Sequence, residues 1–331
     1  MPRFILELRN SHEFWLLVLL IVVIVCFTSL NGDFLTLRNT SDMVVSTAYV
    51  GILCSGLLVV LIAGGIDVSF TASASIAQYA ALTFVNRFGG DWFLLIVIAC
   101  LIGVLCGMMN AVLIYRFRIK SIIATIAMLN VLYGLLIAVT DGRYISLLPP
   151  WFEDGVSWFE LSDVDGITYS INLQIALLLL SFGFTWVLLR RSNVGRQIYA
   201  MGGNPEAARR MGFGVFRLHL IVYGYMGFTA GLASIAQSQL ALQVMPSALV
   251  GKELDVLAAV VLGGASLIGG VGTIFGTILG VSLLAVMQTG LLMVGVSSYW
   301  LQFFSGLVIV VAMSITAVQL QRSKQLRRLN A

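Results

Sequence analysis

Charge is what this 331-residue chain is short of. Asp, Glu, Lys and Arg together make up 10% of it, while 59% is apolar and the mean hydropathy is +0.99. Soluble domains carry roughly a quarter charged residues to cover their surface. A water-exposed globule is therefore excluded, and the long apolar runs, each near the ~20 residues that cross a bilayer, point to lipid. Histidine is also scarce. His12 and His219 lie far apart at the ends of apolar runs, so no nucleophile–base pair of a hydrolase type is present. The four cysteines (Cys26, Cys54, Cys100 and Cys106) sit inside apolar runs without CxxC or CxxH spacing, which removes support for a metal site or a disulfide framework. No Lys-Ser/Thr follows the glycine-rich stretches, so a nucleotide-binding P-loop is absent. Nothing suggests a nucleic-acid partner. No Pro/Gly/Ser linker or low-complexity stretch divides the chain, and 1–331 reads as a single membrane domain.

The apolar runs predict an all-α polytopic membrane protein with about ten transmembrane helices: 14–31, 44–64, 68–86, 92–115, 119–140, 171–189, 218–244, 254–268, 273–294 and 298–318. The first follows Arg3 and Arg9 but no small-x-small cleavage site, and reads as a retained span rather than a signal peptide. The third is rich in small and hydroxylated residues and the eighth is short, so either could be a broken or re-entrant helix near the centre, tolerated only where backbone faces protein or a cavity. With this count, all of the 19 basic residues except Arg38, Arg87, Arg143 and Lys252 fall on one side. The positive-inside rule then places both termini in the cytoplasm, with a basic tail at 319–331, a loop at about 190–217 on the same side and an outer loop at about 141–170. The outer loop is acidic and aromatic. It is either a solvated loop with Trp151 and Trp158 as interfacial anchors or a docking surface for an external partner.

Asp67, in "IAGGIDVSF", falls between two closely spaced spans. Gly64 and Gly65 break the preceding helix. Asp67 or Ser69 could cap the next one, or Asp67 could join a solute path or lie at the cytoplasmic surface. Ser69, Ser73 and Gln78 fall toward one side of the third run, a stripe that suits either a hydroxylated solute or a close helix contact. In "VLGGASLIGGVGTIFGTILG" the glycines at 263, 264, 269 and 270 read as packing and helix-breaking residues, and Gly272, Gly276 and Gly280 have small-xxx-small spacing. Paired interruptions in two halves of a chain point to a translocation site between repeats.

The inner loop contains "YAMGGNPEAARRMGF". Asn204 suits an N-cap, Pro205 the first helical position and Glu206 the positive end of the dipole. Ala207, Ala208, Arg209, Arg210 and Met211 continue the helix, and Gly212 is a stop. About two turns of helix are not stable alone. The segment either rests on headgroups, its arginines attracting anionic lipid, or is held by a partner.

"IAGGIDVS", "CGMMNAVLI", "SIIATIAML", "GRQIYAMGGNPEAARRMG" and "GKELDVLAAVVLGGASLIGGVGTIFGTILG" occur in that order between about 45 and 310. The ordered set resembles the permease subunits of bacterial sugar-type ATP-binding-cassette importers, the ribose, galactose, xylose and autoinducer-2 group. The resemblance implies a non-catalytic inner-membrane subunit that pairs with a second permease copy. A cytoplasmic ATP-binding subunit would hold ATP and Mg, a periplasmic sugar-binding protein would deliver the solute, and this chain would carry no cofactor. It also implies that 204–211 is a coupling helix docked in the ATPase, with Ala207 and Met211 as its contact face. This chain departs from the family pattern at Phe70 and Thr71, at Ser121 where proline is frequent and at Ala127 where glycine is frequent. Two rival classes remain. An ion- or proton-coupled secondary transporter would need buried ionisable residues beyond Asp67, and an intramembrane enzyme would need a catalytic pair within the spans.

Overall fold

The computed structural model describes residues 12–162 and 168–297, together with the helical positions 299, 300, 303, 304, 306, 307 and 310. Seven helices among these are long and apolar enough to cross a membrane. They are α1 (His12–Leu30), α2 (Leu37–Ile62), α4 (Trp92–Phe117), α5 (Ser121–Thr140), α7 (Leu173–Trp186, continued by a π turn over Val187–Arg191), α10 (Val215–Ala241) and α12 (Ile274–Met293). Two other expected spans are helical but different in kind. α3 (Phe70–Phe88) is long enough, but its hydroxyl-rich sequence keeps it off that set. α11 (Glu253–Leu262) has only ten residues and stops at Gly263 and Gly264, the latter with φ +90°. The expected tenth span and the basic tail fall largely outside the described residues, as do residues 1–11.

The helical class is qualified in the segment between α5 and α7. A short turn, α6 (Pro150–Glu153), leads into a two-stranded antiparallel ribbon of β1 (Ser157–Ser162) and β2 (Thr168–Asn172), with Ser157 opposite Asn172. Aromatic and β-branched residues in "SWFELS" and "TYSIN" favour strands over helix. The turn is anchored: Phe152 is fully buried, stacked on Trp92 with ring centroids 5.0 Å apart, and Trp151 meets the same indole edge-on at 5.2 Å. Asp91 caps α4 at this end, its carboxylate accepting from the Leu94 N–H at 2.9 Å.

Burial separates centre from periphery. In α2 and α10, 72% of the membrane-length window is buried, against 17% in α1. α10 crosses α4 at backbone contact distance. A Cβ added to Gly107 would lie 2.0 Å from the Tyr223 carbonyl oxygen, and one on Gly103 2.1 Å from that of Gly227. Small residues permit this approach, which is how membrane helices gain van der Waals contact without a hydrophobic driving force. α12 is brought against α11 in the same way, since Gly276 and Gly280 face the carbonyls of Gly263 and Ala259. α1 lies outside and is fastened at both ends. His12 Nε2 meets the Leu262 carbonyl at 2.8 Å, Thr273 donates to Glu13, and Asn31 Nδ2 donates to the Met293 carbonyl at 3.1 Å.

Candidate functional site

The segment after α7 is built as two short helices. In α8 (Asn193–Gly203), Ser192 Oγ accepts from the Gly195 N–H at 3.0 Å, and Ile198 and Met201 are buried. Tyr199 donates to the Gly272 carbonyl at 2.7 Å, and burial pushes its phenol up against the lowering pull of Arg190. In α9 (Pro205–Arg210), Asn204 Oδ1 accepts from the Ala207 N–H at 3.0 Å. At the other end Gly212 has φ +82°, with Phe213 N–H on the Ala208 carbonyl and Gly212 N–H on the Arg209 carbonyl. This pair of bonds is the Schellman stop, which a left-handed glycine makes possible. Ala208 is buried against the bundle. Met211 is 59% exposed on the other side, and Glu206, Arg209 and Arg210 are exposed around it.

The glycines preceding α9 carry a contact that sequence reading missed. Gly202 is so close to the end of α2 that an added Cβ would stand 1.8 Å from the Ile62 carbonyl oxygen. That carbonyl accepts from the Gly270 N–H at 2.9 Å. A Cβ on Gly269 would meet Gly64 Cα at 2.6 Å and the Gly202 carbonyl at 2.7 Å. Three Gly-Gly pairs, 64–65, 202–203 and 269–270, thus meet backbone to backbone, joining the two helix breaks to the α8–α9 segment. The available clue was the dipeptide itself, recurring in "IAGGI", "AMGGN" and "LIGGV".

The polar residues after Gly65 are pinned rather than free. Asp67 is 2% exposed, so it does not lie at a surface. Its Oδ1 accepts from the Ser69 N–H at 2.8 Å and from Ser69 Oγ at 2.7 Å. Ser69 takes the N-cap position of α3 but makes no side-chain capping bond, because its hydroxyl is engaged with Asp67 and with Asn110 Nδ2 at 2.7 Å. Ser121 accepts from the Ile66 N–H at 3.0 Å, so α5 holds the same connector from the other side. Ser73 donates to the Ser69 carbonyl, and Gln78 Nε2 to that of Met245 at 3.3 Å. Ser75 Oγ and Gln78 Oε1 are buried without a protein partner. Sequence reading missed Asn110 and the Thr71–Glu253 hydrogen bond, and marked Ser121 only as a departure from the family pattern. The lone amide in "CGMMNAVLI" was the clue to Asn110.

Two cavities flank this layer. One of about 610 Å³ lies where α9 meets the ends of α2, α4 and α10, and a second of about 910 Å³ lies between α3 and the C-terminal half of α5. None of Asp67, Ser69, Ser73 or Gln78 lines either. No group of His, Cys, Asp and Glu among the described residues could hold a metal ion.

Over residues 39–313 the chain matches the family described as branched-chain amino acid transport system / permease component. It is 31% identical over 310 residues to the ribose import permease protein RbsC of Haemophilus influenzae, covering 94% of this chain and 93% of the relative. It is 33% identical to the RbsC of Bacillus subtilis over 293 residues, with 88% and 89% covered. With the galactose/methyl galactoside import permease protein MglC of Salmonella typhimurium it shares 27% identity, with 93% and 94% covered. No solved structure matches.

Proposed function

We propose a mechanism from one premise: the chain belongs to the permease family matched over residues 39–313. It is a multi-pass inner-membrane protein, the permease component of a sugar ABC importer. Beyond that, residues 1–331 act as one domain of ten spans with both termini in the cytoplasm, without catalysis of its own. A second permease copy completes the pore, a periplasmic binding protein delivers a monosaccharide, and a cytoplasmic subunit binds ATP and Mg. ATP binding there shifts the balance between two cavities of the permease pair.

The observation that carries this reading is the position of α9. One side chain, Ala208, is sealed against the bundle, while Met211 faces outward and the preceding Gly202 is lodged on the end of α2. A helix of six residues held this way is a contact element rather than a self-supporting one. Asn204 to Met211 then form the coupling helix. Asp67, Ser69, Ser73 and Gln78 lie beside the solute path, where the unpartnered Gln78 Oε1 suits a hydroxylated solute. The rival secondary transporter draws less support: among the described residues Asp67 is the one buried acid, and it is already hydrogen-bonded.

The test is Glu206→Lys or Ala207→Arg in the assembled importer. ATP-driven sugar uptake should fall at least about tenfold, with the permease still at its normal level in the membrane. Normal uptake by both variants would sink the coupling assignment.

A further inference from the structure

The 610 Å³ cavity under α9 has a chemistry that transport does not explain. Three arginines line it, all of them exposed: Arg116 and Arg118 from the end of α4, and Arg209 from α9. They come from segments more than ninety positions apart in sequence, so the fold rather than a local basic run gathers them. No acidic residue lines the cavity. The ion pairs among the described residues are Arg143–Asp141 and Lys252–Asp255, both elsewhere, so these three arginines have no carboxylate partner. Ser121, Tyr223 and His219 add hydrogen-bonding groups to the same wall, while Ile114, Val215 and Val222 make part of it apolar. Three cations at the mouth of one cavity, with no acid beside them, attract an anion. Arginine forks match phosphate oxygens bidentately, and a basic pocket at the end of membrane helices is suited to a phosphorylated headgroup.

The geometry points to a phosphate-binding site in this cavity, which takes either an anionic phospholipid headgroup or a soluble phosphate and ties α9 to the end of α4. The bound group would bridge Arg209 to Arg116 and Arg118, three positions without other anionic partners. The site stands on this chain's residues alone and does not depend on the coupling assignment.

The full-length permease in nanodiscs supplies the test, read by melting temperature and by native mass spectrometry. Three conditions are compared: phosphatidylcholine alone, phosphatidylcholine with inorganic phosphate, and phosphatidylcholine mixed with phosphatidylglycerol. The wild type should melt higher in the second or third condition than in the first. A rise confined to phosphatidylglycerol assigns the site to lipid, and a rise with inorganic phosphate assigns it to a soluble source. Arg116→Gln/Arg118→Gln should weaken that binding about tenfold or more, and added salt should weaken it in the wild type. Arg190→Gln/Arg191→Gln, outside the cavity, should leave it unchanged. If the glutamine pair does not fold, Arg116→Lys/Arg118→Lys keeps the charge, loses the fork and should still bind several-fold more weakly. The inference is overturned if neither probe raises the melting point, if both arginine pairs behave alike, or if loss of Arg116 and Arg118 weakens only assembly with the ATPase. These readouts are independent of uptake.

Discussion

Where α4 crosses α10, the touching glycines lie inside helices. Where α2, α8 and the 265–273 connector meet, they lie at helix ends and between helices. Both places bring backbone against backbone, at 2.0 Å from a Gly107 Cβ position to a carbonyl in the first and 1.8 Å from that of Gly202 in the second. The conformations differ. Gly103, Gly107, Gly227 and Gly231 have ordinary helical backbones, so the missing Cβ is their whole contribution. Gly64, Gly269 and Gly270 have φ of +83°, +102° and +75°, a region costly for other residues. The helical seam is a fixed wall. The junction is made of element-terminal residues of the kind that absorb backbone rotation when parts of a protein move. Close contact alone does not distinguish them; the dihedral angles of Gly64, Gly269 and Gly270 do, while Gly202 belongs to the junction by its place at the end of α8.

Substitutions can break or sharpen that distinction. The largest effect is expected from Gly107→Val, which drives a branched side chain into the Tyr223 carbonyl. Overpacking of this sort costs about 3 kcal/mol, and folded yield on size exclusion should collapse. Gly202→Ala is expected to leave the seven long helices assembled while displacing α8 and α9 from Ile62. Uptake should drop about tenfold or more at a membrane level close to wild type. If Gly202→Ala loses folded protein as Gly107→Val does, the junction is merely another wall. A smaller effect should follow removal of the Asp67 carboxylate, which secures the connector between Gly65 and α3. Asp67→Ala leaves the Ser69 N–H without its acceptor and should cost about 1–3 kcal/mol, read as a lower melting temperature. Asp67→Asn, which keeps an acceptor oxygen, should cost less than Asp67→Ala.

The parts of this architecture set by neighbouring residues were readable from sequence. The ends of α9 follow from Asn204, Pro205 and Gly212, because a cap is a bond between groups three or four residues apart. The shortness of α11 followed from glycines closing an apolar run. The convergence of Gly64, Gly202 and Gly270 was not readable, since hydrophobic periodicity says which face of a helix is buried but not which break meets which. Asn110 was overlooked for the same reason: its partners Asp67 and Ser69 lie some forty residues earlier. The ribbon is masked in sequence by the charge and aromatic anchors of 141–170: only "TYSIN" alternates polar and apolar residues, while Trp158 and Phe159 are adjacent in "SWFELS".

α4 has a mechanical consequence. Its 26 residues make a strut about 39 Å long at 1.5 Å per residue. The N-terminal end is clamped by Phe152 and Trp151 on Trp92, and the C-terminal part carries Asn110, Arg116 and Arg118. A load placed on the α6 turn is therefore carried to the opposite end of the bundle through one unbroken helix, without crossing a single loop.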